Sequence, residues 1–264
     1  HNSEAGESVI EVRNLRVLSD RGIEAVRGVN LDVRAGEILG VAAIEGNGQS
    51  ELVEAITGMR PMRAGDITIC NKRASGLTPG EIRSLGLSHV PEDRISTGIC
   101  LAGTVSDNLI AGKHISPTFS RGGTVIIKRA VAEYARRLFD KFDIRAAGVD
   151  IPADSLSGGN MQKVVIAREF SFDSKALIIS QPTRGVDIGA MEFIHKLIID
   201  KRDAGCAILL VSADLDEIFR LSDRVVTMFE GRTTGEFKAG SIAKEDIGFY
   251  MTGARSSMES EAVM

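Results

Sequence analysis

The sequence predicts an α/β domain built on a mainly parallel sheet, and three observations carry that expectation. An apolar strand at residues 38–44 runs straight into the glycine turn Gly46-Asn47-Gly48, and a helical pattern opens at Ser50. From residue 155 to residue 229, helix and strand patterns alternate, which is the chain order of a parallel sheet with crossover helices. Between these two stretches lies a mostly helical segment, residues 104–151, whose main helix at 128–142 keeps Val131, Tyr134, Leu138 and Phe142 on one stripe.

Taken in order, strands are expected at 9–18 and 25–33, with turn signals at Asp20-Arg21-Gly22 and Ala35-Gly36. The helix that opens at Ser50 carries Leu52, Val53 and Ile56 on one side and stops at Gly58. A short strand at 66–70, a helix at 79–85 and a strand at 87–90 lead into the helical segment. Beyond it the expected order is helix 159–170, strand 176–180, helix 190–203, strand 206–213, helix 215–221, strand 224–229 and a last helix at 242–251. His195 falls in mid-helix and reads as a structural residue. Residues 1–8 read as a disordered lead-in, or as the edge of an excised piece because the chain begins without methionine. Residues 255–264 read as a polar tail.

A chain of 264 residues with 43% hydrophobic content can bury a sizeable core. The formal net charge of −4 argues against a general affinity for nucleic acid or an anionic membrane, so any phosphate contact has to be local. Cys70, Cys100 and Cys206 match no metal-ligand spacing and read as reduced thiols filling small core sites. No run approaches the roughly 18 to 20 apolar residues that span a bilayer.

A phosphate loop needs glycines so that successive backbone N–H groups can curl around oxygens, above a helix N-terminus that adds positive dipole. Gly46, Gly48 and the helix start at Ser50 meet that need. In the register of G-x-x-x-x-G-K-[ST], the positions are Ala43, Gly48, Gln49 and Ser50, so Gln49 stands where a lysine is expected. The amide can donate hydrogen bonds to phosphate but brings no charge, and Glu45 adds a negative one. Taken alone, such a glycine turn reads rather as a packing feature.

Other motifs change that balance. Leu156-Ser157-Gly158-Gly159-Asn160-Met161-Gln162-Lys163 combines a helix cap at Ser157 with two glycines that let an anion approach the backbone. Together with Gly46-Asn47-Gly48-Gln49-Ser50-Glu51, Pro91-Glu92-Asp93-Arg94 and Gln181-Pro182-Thr183-Arg184-Gly185-Val186-Asp187, it resembles the ATP-binding cassettes of ABC transporters over nearly the whole chain. The wording is similar to the second cassette of fused tandem ATPases that drive sugar or nucleoside import. The resemblance implies a P-loop nucleotide-binding domain with a mainly parallel core sheet, an N-terminal antiparallel β subdomain and an inserted helical subdomain. The divisions it implies are core 9–103, helical subdomain 104–155 and core 156–254.

The resemblance also assigns roles. Ala43, Glu45, Gly46, Asn47, Gly48, Gln49, Ser50 and Glu51 would form the nucleotide loop, with Ser50 toward Mg²⁺. Leu156, Ser157, Gly158, Gly159, Asn160 and Gln162 would form the signature motif, and Gly185, Val186 and Asp187 the D-loop. Four positions depart from the family's hydrolytic pattern: Gln49 for lysine, Ser180 and Gln181 for the Asp-Glu that ends the Walker B strand, and Ala213 for the switch histidine. Glu92 replaces the Q-loop glutamine, and the aromatic that stacks on adenine is not evident near residues 20–22.

ATP and Mg²⁺ are thus the implied cofactors, held weakly or without hydrolysis. The implied partners are another ABC cassette in the same parent chain, permease subunits, and indirectly an extracytoplasmic substrate-binding protein, with no nucleic acid. The implied place is peripheral, on the cytoplasmic face of the membrane. Two rival readings stay open: a competent ATPase that uses Glu92 or Asp93 as substitute base, and a scaffold module without nucleotide binding.

Overall fold

The computed structural model describes residues 6–255. The chain forms two compact units: one takes the residues up to His89, Ser174–Gln181 and the chain from Ile194 onward, the other Val90–Asp173 with Pro182–Phe193. The expectations for residues 1–5 and 256–264 lie outside the described residues.

In the first unit, β1 (Ser8–Leu18) and β2 (Glu24–Arg34) pair antiparallel, and β1 also pairs antiparallel with β4 (Met62–Ile69), which pairs with β5 (Lys72–Arg73). Period-two burial explains β1 only in part, because its inward residues are Ile10, Val12, Leu15 and Val17. The three-residue step is absorbed by a register shift between Val12 and Leu15, where Asn14 takes a left-handed φ of 46°.

The second sheet of this unit has the order β12-β11-β3-β10-β9-β6. Here β3 is Ile38–Ala42, β6 Leu87–Val90, β9 Ala176–Ser180, β10 Ala207–Ser212, β11 Arg224–Phe229 and β12 Arg232–Lys238. Strands β11, β3, β10 and β9 run parallel, while β12 returns antiparallel on β11. The core lies between the two sheets and around helix α1 (Gln49–Ile56), with Leu39, Val41, Leu52, Ile56, Leu209 and Val226 among its residues. Strands buried on both faces read as unbroken apolar runs, and Ala207–Ser212 is buried at every position.

In the second unit, α3 (Val105–Ile110) and α4 (Lys128–Lys141) pack with α5 (Gly158–Phe170), and Ile110, Phe119 and Val131 form a small core. A single π-helical turn at Arg94–Gly98 is capped by Asp93, whose carboxylate accepts from Ile95 N at 2.8 Å. The remaining helices are α2 (Pro79–Ser84), α6 (Ile188–Asp203), α7 (Leu215–Leu221) and α8 (Lys244–Met251). No helix among the described residues is long and apolar enough to cross a membrane.

Several expectations need correction. The strand expected to reach residue 44 ends at Ala42, and Ile44 is 49% exposed because the chain has already left the sheet. The stretch 104–151 is not helical throughout: β7 (Ser120–Arg121) and β8 (Val125–Ile126) form a hairpin whose turn uses Gly122 and Gly123 at positive φ. The segment 104–155 lies wholly within the second unit. Strand β12 was absent from the expected order, and β4 extends four residues earlier than expected. Cys206 is buried, with burial pushing its thiol pKa up to about 11, but Cys100 is exposed rather than a core residue. Cys100 sits in an irregular turn held by Asn108, which accepts from Cys100 N at 2.7 Å and donates to its carbonyl at 2.9 Å.

Candidate nucleotide and signature sites

The glycine loop follows the carboxyl end of β3, in the position where parallel α/β sheets bind ligands. Sheet register puts two other candidate positions beside it. Ala42 lies opposite Ser212 of β10, and Val211 lies opposite Ser180 of β9. Ser180-Gln181 and Ala213 therefore leave the same edge of the sheet as the loop. Gln181, at φ 48°, donates its N–H to the Val211 carbonyl at 2.8 Å and accepts from Ala213 N through Oε1 at 3.3 Å. These two candidate positions are thus bonded to each other.

Within the loop, Glu45, Gly46 and Ser50 are exposed, Asn47 and Glu51 are half-buried, and Ala43, Gly48 and Gln49 are buried. Gly46 and Gly48 both have positive φ, 88° and 97°. Gln49 begins α1, and its amide turns back on its own loop. Its Oε1 accepts from Asn47 N at 3.0 Å, and its Nε2 donates to the Ile44 carbonyl at 3.3 Å. An N–H of the glycine loop, that of Asn47, is therefore already satisfied by Gln49.

Asn47 ties the loop to a distant hairpin. Its Oδ1 accepts from Glu230 N at 2.8 Å, and its carbonyl accepts from Gly231 N at 3.0 Å. The Gly231 carbonyl in turn accepts from Arg27 N of β2 at 2.7 Å. A Cβ on either Gly48 or Gly231 would lie 2.2 Å from the Ala25 carbonyl oxygen. The β11–β12 turn is therefore a latch on the glycine loop. Sequence reading missed it, because only the run before Glu230-Gly231 is apolar, whereas Arg232–Lys238 is mostly polar and gives no clear strand pattern.

His195 is buried in this unit on α6, with Nε2 2.9 Å from Glu217 Oε1 on α7. Its position supports the structural reading.

In the second unit, the 156–160 loop is the entry to α5. Ser157 caps the helix, accepting from Asn160 N at 3.4 Å and from Asn160 Nδ2 at 3.0 Å. Asn160 Oδ1 accepts from Arg145 N at 2.8 Å. Lys163, one turn on, donates to the Asp143 carbonyl at 2.6 Å and to its carboxylate at 2.9 Å, which holds the Asp143 carboxyl below its usual pKa. Gln162 is buried and donates to the Pro182 carbonyl at 3.1 Å, tying α5 to the segment that contains Gly185, Val186 and Asp187. Asp187 accepts from Ala190 N at 2.9 Å and so caps α6.

Glu92 and Arg94 clasp the same segment. Arg184 donates to Glu92 Oε1 at 3.1 Å, and Arg94 Nη1 donates to the Arg184 carbonyl at 2.8 Å. The guanidinium of Arg94 also fills the space in front of two glycines. A Cβ on Gly158 would lie 2.7 Å from Arg94 Nη2, and one on Gly185 3.2 Å from the same atom. Arg94 joins residues 90 positions away, so the sequence alone carried no signal of its role.

The chain matches the family model "ABC transporter" over residues 26–184. It is 43% identical over 245 residues to the "Nucleoside import ATP-binding protein NupA" of Lactococcus lactis subsp. cremoris, covering 93% of this chain and 48% of that protein. It is 40% identical over 252 residues to the "Guanosine import ATP-binding protein NupO" of Bacillus subtilis, covering 96% and 49%. The "Ribose import ATP-binding protein RbsA" of Bacillus subtilis is 37% identical over 250 residues, covering 95% and 49%. The chain thus spans about half the length of these curated relatives. In fold it is similar to a nucleotide-free ATP-binding cassette from an ABC transporter, with TM-score 0.74 and 22% identity over 93% of this chain and 95% of that one. It is also similar to a dimeric ATP-binding cassette in a post-hydrolysis state bound to ADP and Pi, with TM-score 0.75 and 20% identity over 88% of this chain and 100% of that one. The chain belongs to the ABC transporter family, as one of its P-loop ATP-binding domains.

Proposed function

We propose that this domain energises import of nucleosides or simple sugars, and that it does so asymmetrically. Its signature loop completes the ATP site of a second cassette, while its own glycine loop binds nucleotide weakly or holds it without turnover. The observation that carries this reading is the contrast in how the two loops are built. Ser157, Asn160, Gln162 and Lys163 each make anchoring bonds that leave the amino end of α5 presented intact. The other loop has an uncharged Gln49 folded onto its own backbone, and a serine, a glutamine and an alanine at the three hydrolytic positions nearby.

ATP and Mg²⁺ fit the glycine loop in part. Gly46 has open space where a side chain would stand, and Ser50 offers a hydroxyl that would hold Mg²⁺. Bound Mg²⁺ would offset phosphate charge. The chain's own contribution is limited to backbone N–H donors and the α1 dipole, and Asn47 N has to exchange Gln49 for a phosphate oxygen. No carboxylate stands at residues 180–181 to take a proton from water.

Relatives named for nucleoside, guanosine and ribose import support the substrate class. The match to about half of each relative leaves room for a tandem partner in one chain, and the dimeric cassette fold supports pairing. A cassette in this role works at the cytoplasmic face of the membrane, against permease subunits that receive substrate from an extracytoplasmic binding protein. It has no need of nucleic acid.

Restoring the charge tests the weak-site half. Gln49→Lys should tighten Mg²⁺–ATP binding by roughly tenfold in calorimetry, the difference between a neutral and a charge-assisted hydrogen bond. Unchanged affinity would show that the missing charge is not what weakens the site, and absence of binding heat in both proteins would favour a scaffold. The competent-ATPase reading needs Glu92 or Asp93 as base, but Glu92 is engaged by Arg184 and Asp93 by the π-turn it caps. Single-turnover hydrolysis unaffected by Glu92→Gln is the expected result.

A further inference from the structure

We infer that Asn160 is a positioning residue that turns the Ser157 hydroxyl into an outward-pointing donor, an inference that rests on the shared-site reading above. Backbone N–H groups can only donate, so the atom of Asn160 facing Arg145 N at 2.8 Å has to be its oxygen. The amide nitrogen is thereby directed at Ser157 Oγ, 3.0 Å away, and Asn160 N–H converges on the same oxygen at 3.4 Å. Both lone pairs of Ser157 Oγ are thus occupied by donors, and its own proton has no role in the cap. That proton is left for an acceptor outside the chain.

The anchor beneath this arrangement is fixed twice. Asp143, at φ 47°, is gripped by Lys163, and two residues later Arg145 N grips Asn160, so α5 holds the 143–145 turn through two side chains one helical turn apart. The N–H groups of Gly158 and Gly159, at the first helical positions, precede any intrahelical acceptor. Ser157 and Asn160 also line a cleft of about 470 Å³ together with Arg145, Ile151 and Leu156. The acceptor that suits one hydroxyl and two helix-start amides is a phosphoryl oxygen, that of the nucleotide on the partner cassette.

A double-mutant cycle on ATP hydrolysis by the assembled importer tests the assignment. Asn160→Ala and Ser157→Ala should each lower kcat by about tenfold with little change in KM, and the double variant should be no slower than either single one. A wild-type kcat in Asn160→Ala, or a further tenfold loss when it is added to Ser157→Ala, would overturn the positioning role. Asn160→Asp covers the case in which Asn160→Ala fails to fold. It keeps an oxygen for Arg145 N but offers a second oxygen to Ser157, drawing the hydroxyl proton inward. It should lose kcat without a fall in melting temperature, and should cost nothing further in the Ser157→Ala background. A residual loss there would mean that added charge rather than hydroxyl direction is responsible, and would overturn the inference. If Ser157→Ala alone leaves kcat unchanged, the shared-site reading itself fails, whatever Asn160 does.

Discussion

Ser157→Arg in the assembled importer should reduce ATP-driven uptake by on the order of a hundredfold or more, because it removes the hydroxyl donor and also puts a long charged side chain where the partner's phosphoryl group would lie. Ser157 is exposed and its hydroxyl oxygen accepts from Asn160, so the protein should still fold. Loss of the cap costs about 1 kcal/mol of stability, too little to account for the expected functional loss. The arginine would place a long side chain and a charge at the amino end of α5, beside the guanidinium that already fronts Gly158. Vesicle uptake and ATPase rates measure the effect. Transport at the wild-type rate would show that the 156–160 loop is not part of a working ATP site.

The second large effect is on stability. Gly48→Ala should destabilise the domain by about 3–5 kcal/mol, because a left-handed φ of 97° is strained for alanine and its Cβ would stand 2.2 Å from the backbone oxygen of Ala25. For a domain of this size, that is a fall of roughly 10 °C in Tm. Gly46→Ala has a similar φ, 88°, but open space around its Cβ. It should cost only about 1–2 kcal/mol. Thermal melting of the pair separates the latch from the loop itself: equal Tm values for the two variants would mean that the approach of β2 to Gly48 has no energetic weight.

The fold was legible where apolar runs have a period or a length. The strand into Gly46, the signature helix and the alternation after residue 155 all appear in the structure, within one to a few residues at their ends. What escaped was structure held by single side chains. Strand β12 breaks its alternation at Thr234-Gly235, and is held instead by Thr227 Oγ1 against Thr234 Oγ1 at 2.9 Å and by Phe237 against Tyr250. The two-residue strands at Ser120–Arg121 and Val125–Ile126 are too short to carry a period. In the two candidate loops, glycine spacing revealed where the backbone turns into α1 and α5. It could not reveal that Asn47 is latched 183 residues away, that Glu92 clasps Arg184, or that Gln49 bonds its own loop. Such contacts depend on where the backbone brings two polar atoms, which composition and spacing do not encode.

The asymmetric reading is tested most directly by steady-state ATP hydrolysis of this chain alone and after mixing with a cassette that carries the lysine and the Asp-Glu pair. The expected result is negligible turnover alone and a marked rise on mixing, a rise that Ser157→Arg in this chain abolishes. Substantial turnover by the chain alone would contradict it.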